Sequence, residues 1–249
     1  MASILNKVRA GIGKLRETRE EPHFIVIPEI RLAFGRVPKV ANSSIKTAIA
    51  RHLGFKPTGD LRPTQDRYWI EAAGDRARMV SARAMQEMRA DYLVFTFVRS
   101  PFDRLVSCYF NKIVEFRSFP EPFARLGFAP NMPFDAFVAR VAEIDDAQAD
   151  THFQSQASML ASNGAVVADF IGRFETLDAD WAQLNDRVEE RHGFRFEDLP
   201  KRNVHRGSDD DLGGYYASPE TVRLTRARYA EDFRLLYPAL ADPAPQPNA

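Results

Sequence analysis

Three apolar runs along the chain read as strands buried on both faces, because they are nearly continuous rather than alternating. They are Phe24–Ile27, Arg31–Val37 and Asp91–Val98, with Pro22 and Pro28 punctuating the first two. The second and third runs each lead through a short polar loop into a helical pattern. After the first loop, Ile45, Ala48, Ile49 and Leu53 form one stripe from Ser43 onward, and Gly54 stops it. After the second, Leu105, Tyr109 and Ile113 share a face, and Pro101 sits where a first helical turn tolerates it. Further on, the pattern predicts helices over Ser81–Met88, Pro133–Val141 and Asp178–Arg191, the last with Trp181, Leu184 and Val188 inward, and a strand over Ala165–Phe174. A final helix opens at Ser218, Pro219 and Glu220 and turns Val222, Tyr229, Phe233 and Leu236 to the core. Strands alternating with helices predict an α/β fold with a mainly parallel sheet flanked by helices on both faces.

The punctuation between these elements sets the organisation. Residues 1–20 form a basic amphipathic pattern, with Ile4, Leu5, Val8, Ile12 and Leu15 among Lys7, Arg9, Lys14, Arg16 and Arg19. It reads either as a peripheral membrane-surface helix or as a terminal helix packed on the body or left in solvent. Residues 21–237 form one domain, and the Pro-rich tail 238–249 is expected to be disordered. The irregular section 54–91, with the apolar knot Tyr68-Trp69-Ile70, is a candidate lid or substrate wall. Its arginines (Arg62, Arg67, Arg76, Arg78, Arg83) either meet an anionic acceptor or are simply solvated. The Pro- and Phe-rich stretch 117–135 is a candidate lining for an acceptor cleft.

The loop Arg36-Val-Pro-Lys-Val-Ala-Asn-Ser-Ser-Ile-Lys46 carries the strongest chemical suggestion. A strand feeding a helix N-terminus presents unpaired N–H groups and the positive end of the helix dipole. Lys39 adds a charge, Ala41 keeps the loop thin, and Ser43 and Ser44 add hydroxyls that can also cap the helix. This is a phosphate or phosphosulfate cradle, or else an ordinary strand–turn–helix link with a solvated lysine. It is not the G-x-x-x-x-G-K-[ST] loop of ATP- and GTP-binding proteins, which the chain lacks. In the second loop Arg99 leaves the strand end and Ser107 lies two turns along the helix. The pair can hold a second phosphate, or Arg99 can satisfy a carboxylate or the sheet's end.

Composition narrows the setting. In 249 residues, Lys+Arg and Asp+Glu both number 34, so the chain lacks a strongly basic footprint for nucleic acid and no nucleic-acid partner is expected. Cys108 is the single cysteine, which excludes an internal disulfide and fits a reducing compartment. No apolar run reaches membrane-spanning length, and residues 1–19 lack the apolar core of a signal peptide, so a cytoplasmic location is expected.

Pro38-Lys-Val-Ala-Asn-Ser-Ser-Ile-Lys46, followed by Phe97-Val-Arg-Ser-Pro-Phe-Asp-Arg-Leu-Val-Ser107 and Asn111-Lys112, resembles the two nucleotide-binding motifs of the carbohydrate sulfotransferases. His152 and Asp169-Phe-Ile-Gly-Arg-Phe-Glu-Thr-Leu177 resemble that family's later histidine and strand. The resemblance implies a P-loop-like three-layer α/β fold and transfer of a sulfuryl group from 3′-phosphoadenosine 5′-phosphosulfate (PAPS) to a carbohydrate or glycoconjugate hydroxyl, releasing PAP without a metal. It implies that Lys39, Val40, Ala41, Asn42, Ser43 and Ser44 bind the phosphosulfate, that Arg99 and Ser107 bind the 3′-phosphate, and that Arg206 and Asn203 lie on a loop enclosing the nucleotide, the other reading of that basic loop being a solvated one. Two departures stand out: Ser100 replaces the family's usual Asp, and the cysteine pair of the animal members is absent, which agrees with a soluble, bacterial, cytoplasmic enzyme.

Transfer to a hydroxyl benefits from a general base. Of the five histidines, His152 is the candidate, flanked by Asp150 and Gln154; a structural or surface histidine is the other reading, and Glu175 is the second candidate base. Two other classes stay open: a P-loop-like kinase or nucleotide hydrolase, and a non-catalytic glycan-, anion- or membrane-binding module.

Overall fold

Strand β1 (Phe24–Ile27) is buried at every position, as is β2 (Leu32–Gly35). A single helical turn at Pro28–Ile30 and a left-handed Arg31 reverse the chain between them, so they pair antiparallel from Phe24 opposite Gly35 to Ile27 opposite Leu32. The computed structural model describes residues 21–116, 118–200 and 212–240; the amphipathic segment 1–20, the basic loop bearing Asn203 and Arg206, and residues 241–249 lie outside them. Along the chain follow α1 (Asn42–His52), α2 (Asp66–Glu71), β3 (Arg78–Val80), α3 (Ala82–Met88), β4 (Leu93–Val98) and α4 (Pro101–Tyr109), the last continued by a π-helical turn over Phe110–Val114. Then come α5 (Glu121–Arg125), α6 (Phe134–Ala142), α7 (Gln156–Leu160), the small hairpin β5 (Ala161–Ser162) and β6 (Ala165–Val166), β7 (Phe170–Arg173), α8 (Leu177–His192), α9 (Leu212–Tyr215), α10 (Pro219–Arg228) and α11 (Ala230–Leu236).

The main sheet has the order β3-β1-β2-β4-β7. β2, β4 and β7 are mutually parallel, while β1 is antiparallel to both its neighbours, so four of the five strands run one way. β4 is buried at all six positions, as its unbroken apolar sequence requires. Its rings order the sheet's interior: Phe95 stacks on Phe34 at 5.1 Å, and Phe97 meets Phe170 and Trp181. Gly172 allows that approach, since a Cβ there would lie 2.3 Å from the Phe97 ring. The parallel pairing of β2 with β4 brings their C-terminal ends, and therefore both loops, to one edge of the sheet, where open α/β sheets bind ligands.

Several expectations are corrected. Ala41, not a serine, occupies the N-cap of α1, and no side chain caps it. The expected strand 165–174 is split, because only Phe170–Arg173 joins the main sheet. The final helix breaks at Tyr229 into α10 and α11. The buried face of α10 is Thr221 and Thr225 rather than Val222, because the Thr221 hydroxyl donates to Asp135. Residues just past Tyr237 make a further helical turn, Pro238–Leu240. Section 54–91 is more regular than its prolines suggest: it supplies α2 and edge strand β3, and Ser81 caps α3 by accepting from the Ala84 N–H. In stretch 117–135, Phe123 and Phe128 pack inward with Phe153 instead of lining a cleft.

Candidate active site

The loop after β2 is shaped by two left-handed residues. Lys39 has φ +71° and Ala41 +48°, with Val40 between them outside the left-handed region. Alternation of this kind curls successive N–H groups into an anion-binding concavity. The backbone N–H groups of Lys39, Val40, Ala41, Asn42 and Ser43 find no acceptor among the described residues; the ladder of α1 begins with Ser44 and Ile45 donating to Ala41 O. The buried Oδ1 of Asn42 is likewise without a partner. Five free donors at the positive end of an 11-residue helix fit a phosphate or sulfate group. Ser44 departs from expectation, because its buried hydroxyl donates to Pro200 O at 2.9 Å. Ser43 is half-buried in the first turn of α1. Burial, reinforced by repulsion from Lys112, Arg99 and Arg104, brings the Lys39 ammonium down to about 8.

The loop after β4 is built differently. Gln156, wholly buried, mimics a strand partner for Arg99: its Oε1 accepts the Arg99 N–H at 3.0 Å and its Nε2 donates to Arg99 O at 2.8 Å. Asp232 on α11 holds Gln156 in turn, accepting the N–H groups of Gln156 and Ala157. The next amide, Ser100 N–H, donates to Glu175 Oε1 at 2.6 Å. The Arg99 guanidinium lies over the Phe174 ring, 4.2 Å from its centroid. Ser107 sits half-buried two turns along α4. Glu175 also accepts from the Tyr237 hydroxyl, so both its oxygens are engaged. It and Asp103, near Arg99, supply the negative charge that Ser100 does not; burial raises the Asp103 pKa, opposed by the Ser100 hydroxyl and Arg99.

His152 is oriented for proton transfer. Its Nδ1 is 2.6 Å from Asp150 Oδ1, and its side chain is 30% exposed. An ionised carboxylate only accepts, so the neutral ring carries its proton on Nδ1 and offers the Nε2 lone pair. Burial lowers the His152 pKa, partly offset by the bond to Asp150, and Lys112 and Lys39 lower it further. Lys39, Lys112 and His152 therefore lie within one another's electrostatic reach.

Behind the first loop lies a second charged group. Asp66, at the start of α2, receives Lys46 Nζ at 2.7 Å and Arg36 Nη1 at 3.1 Å. Beside them His23, with both ring nitrogens buried and unbonded, is pushed down to about 3 by burial and by Arg36.

A profile of the sulfotransferase family (Sulfotransfer_2) matches residues 22–238. The chain belongs to this sulfotransferase family. It is 28% identical over 189 residues to carbohydrate sulfotransferase 14 of Homo sapiens and of Mus musculus, covering 70% of this chain and 48% of each relative. The Danio rerio protein of the same name gives 28% identity over 193 residues. The chain thus spans about half the length of the curated relatives it matches. No solved structure matches it.

In this sulfotransferase-family chain, the fold brings Lys39–Ser43, Arg99 and His152 to the same end of the sheet, while Ser107 lies two turns along α4 and Arg206 lies outside the described residues. Three participants had no role in the sequence reading, Gln156, Lys112 and Arg104, and Asp150 stood there only as a polar neighbour of His152. The signal for Asp150 was its i, i+2 spacing from His152. Lys112 and Arg104 stood inside the second motif without a role.

Proposed function

We propose that the protein transfers a sulfuryl group from PAPS to a hydroxyl of a carbohydrate acceptor and releases PAP. The observation that carries this reading is the first loop: five amides unpaired among the described residues and a partly buried lysine, on the same sheet edge as Arg99 and an Asp-oriented histidine. In the reaction the acceptor oxygen forms a bond to sulfur as the bond between sulfur and the 5′-phosphate oxygen breaks. The acceptor proton passes to His152 Nε2, and the departing phosphate oxygen gathers charge that Lys39 and the loop amides stabilise. Arg99 and Ser107 hold the 3′-phosphate, the group that separates PAPS from ATP. The relatives' name, carbohydrate sulfotransferase, supports a carbohydrate acceptor.

Calorimetry with PAP and AMP, together with transfer of labelled sulfate from PAPS to a panel of glycans, tests this. PAP binding much tighter than AMP, with labelled product from one acceptor class, is expected. Equal affinity for the two nucleotides, or metal-dependent ATP turnover without sulfate transfer, overturns it.

A further inference from the structure

Arg104 has no place in the reading above, yet it is among the most buried residues, 1% exposed. Among the described residues its guanidinium bonds no carboxylate. Instead Nε donates to Pro38 O at 3.1 Å, Nη1 to Gln154 O at 2.8 Å and Nη2 to Thr151 O at 3.0 Å. Pro38 is the residue before Lys39. Thr151 and Gln154 are the carbonyls on either side of His152 in the turn after Asp150. A buried cation held only by carbonyl dipoles is costly in desolvation, and any aliphatic side chain would fill the same volume more cheaply. What a leucine or methionine cannot supply is a rigid planar fork with donors diverging toward two chain segments.

We propose that Arg104 is a positioning residue that fixes the separation between Lys39 and His152, and so sets the geometry in which the leaving-group lysine and the base act on one sulfuryl group. This rests on the proposed reaction. The bracket is anchored on α4, itself pinned to the sheet edge by the Gln156 and Glu175 bonds to Arg99 and Ser100. One side chain of the second motif thereby ties the first motif to the histidine turn. In-line transfer is sensitive to such spacing, since misplacement by about 1 Å costs on the order of 10²-fold in rate.

The test uses Arg104→Lys, which keeps the charge but loses the fork, and Arg104→Gln, which loses the charge and keeps a small planar donor. Wild-type sulfate transfer checks the functional reading separately, because the inference concerns only the ratio of variant to wild type. For Arg104→Lys, turnover is expected to fall about 10- to 100-fold, while PAP still binds one to one by calorimetry and within about threefold of wild-type affinity. In a His152→Ala background the same substitution should cost less than about threefold, because the partner it positions is gone. The basic limb of the pH–rate profile should stay in place for Arg104→Lys and move upward for Arg104→Gln, which removes a positive neighbour of Lys39. Unchanged turnover per PAP-binding site, or an undiminished loss in the His152→Ala background, overturns the proposal. Loss of PAP stoichiometry and of cooperative melting in both variants also overturns it, leaving Arg104 a role in stability alone.

Discussion

The two loops at the sheet edge solve the same problem with opposite means. After β2, left-handed Lys39 and Ala41 bend the chain, and the amides from Lys39 to Ser43 have no acceptor among the described residues, so the main chain itself can form the binding surface. After β4, the main chain is closed off: Gln156 takes both polar groups of Arg99, and Glu175 takes the Ser100 amide. There only side chains remain to meet a ligand. Their supports differ as well. Behind the first loop Asp66 is held ionised by Lys46 and Arg36. Behind the second Asp232 has backbone N–H donors, and burial raises its pKa. On the proposed reaction, a group that changes charge is met by a preorganised array of main-chain dipoles plus one titratable cation. A spectator phosphate is met by a fixed side-chain fork.

The largest effect should come from removing the titratable cation of the first loop. Lys39→Ala should lower turnover by about 10²–10³-fold, the scale of losing one charge-stabilising donor, while PAP affinity falls far less because the amides remain. The lysine acts in its charged form, and burial lowers its pKa to about 8, so wild-type kcat/KM should fall as pH rises through about 8. On the acid side the rate should hold until His152 protonates, below its ordinary 6.5. Lys39→Arg keeps its charge at high pH, so the basic limb should disappear. A pH–rate series on the three proteins checks this.

Next in size is the support behind the first loop. Asp66→Asn leaves Lys46 and Arg36 facing each other in the interior and should destabilise the fold by about 3 kcal/mol, at the low end for a broken buried pair because Asp66 itself is 38% exposed. Burial favours the protonated Asp66, but Lys46 and Arg36 outweigh it and hold the carboxyl below its ordinary 3.8. A depressed folded pKa means that this stabilisation is whole above about 3.8 and is lost as pH falls through the lower folded value. Thermal melts should therefore show a smaller acid-induced drop for Asp66→Asn than for wild type in that range.

A smaller, more selective effect separates the loops directly. Arg99→Ala should weaken PAP by about 10- to 100-fold, the loss of one charge-assisted fork, and leave AMP unchanged. The equivalent lesion in the first loop affects both nucleotides. If Arg99→Ala weakens AMP equally, the division of labour fails.

Much of this was legible in the sequence, for identifiable reasons. The unbroken apolar runs of β2 and β4 announced buried parallel strands, and the helical stripes after them placed both loops at helix starts. Lys39, Arg99 and His152 could be singled out because each is a residue type that anion or proton chemistry needs. What stayed hidden was long-range. Gln156 and Asp232 are 76 residues apart and look like ordinary helix residues until the fold joins them. Arg104 reads as one more surface cation, since a charged residue satisfied only by carbonyls leaves no partner spacing to detect. The serines misled in the opposite way. Ser43 and Ser44 look like caps, but a left-handed Ala41 takes the cap position, and Ser44 turns to Pro200.

That left-handed alanine offers the finest test of the contrast. An L-residue at positive φ costs roughly 1–2 kcal/mol that glycine avoids, while glycine loses about 0.5–1 kcal/mol through its freer unfolded state. Ala41→Gly should therefore leave the fold equally stable or raise its stability by up to about 1.5 kcal/mol, seen as a melting temperature unchanged or a few degrees higher. Its side chain is not the donor, so PAP affinity should change by less than about threefold. Ser100→Gly, at φ −44° in the second loop, relieves nothing and should only lose stability, by about 0.5–1 kcal/mol. Opposite signs in the paired melts would locate the strained backbone in the first loop alone. A loss of stability in both would mean that Ala41 holds its left-handed turn through packing rather than at a conformational cost.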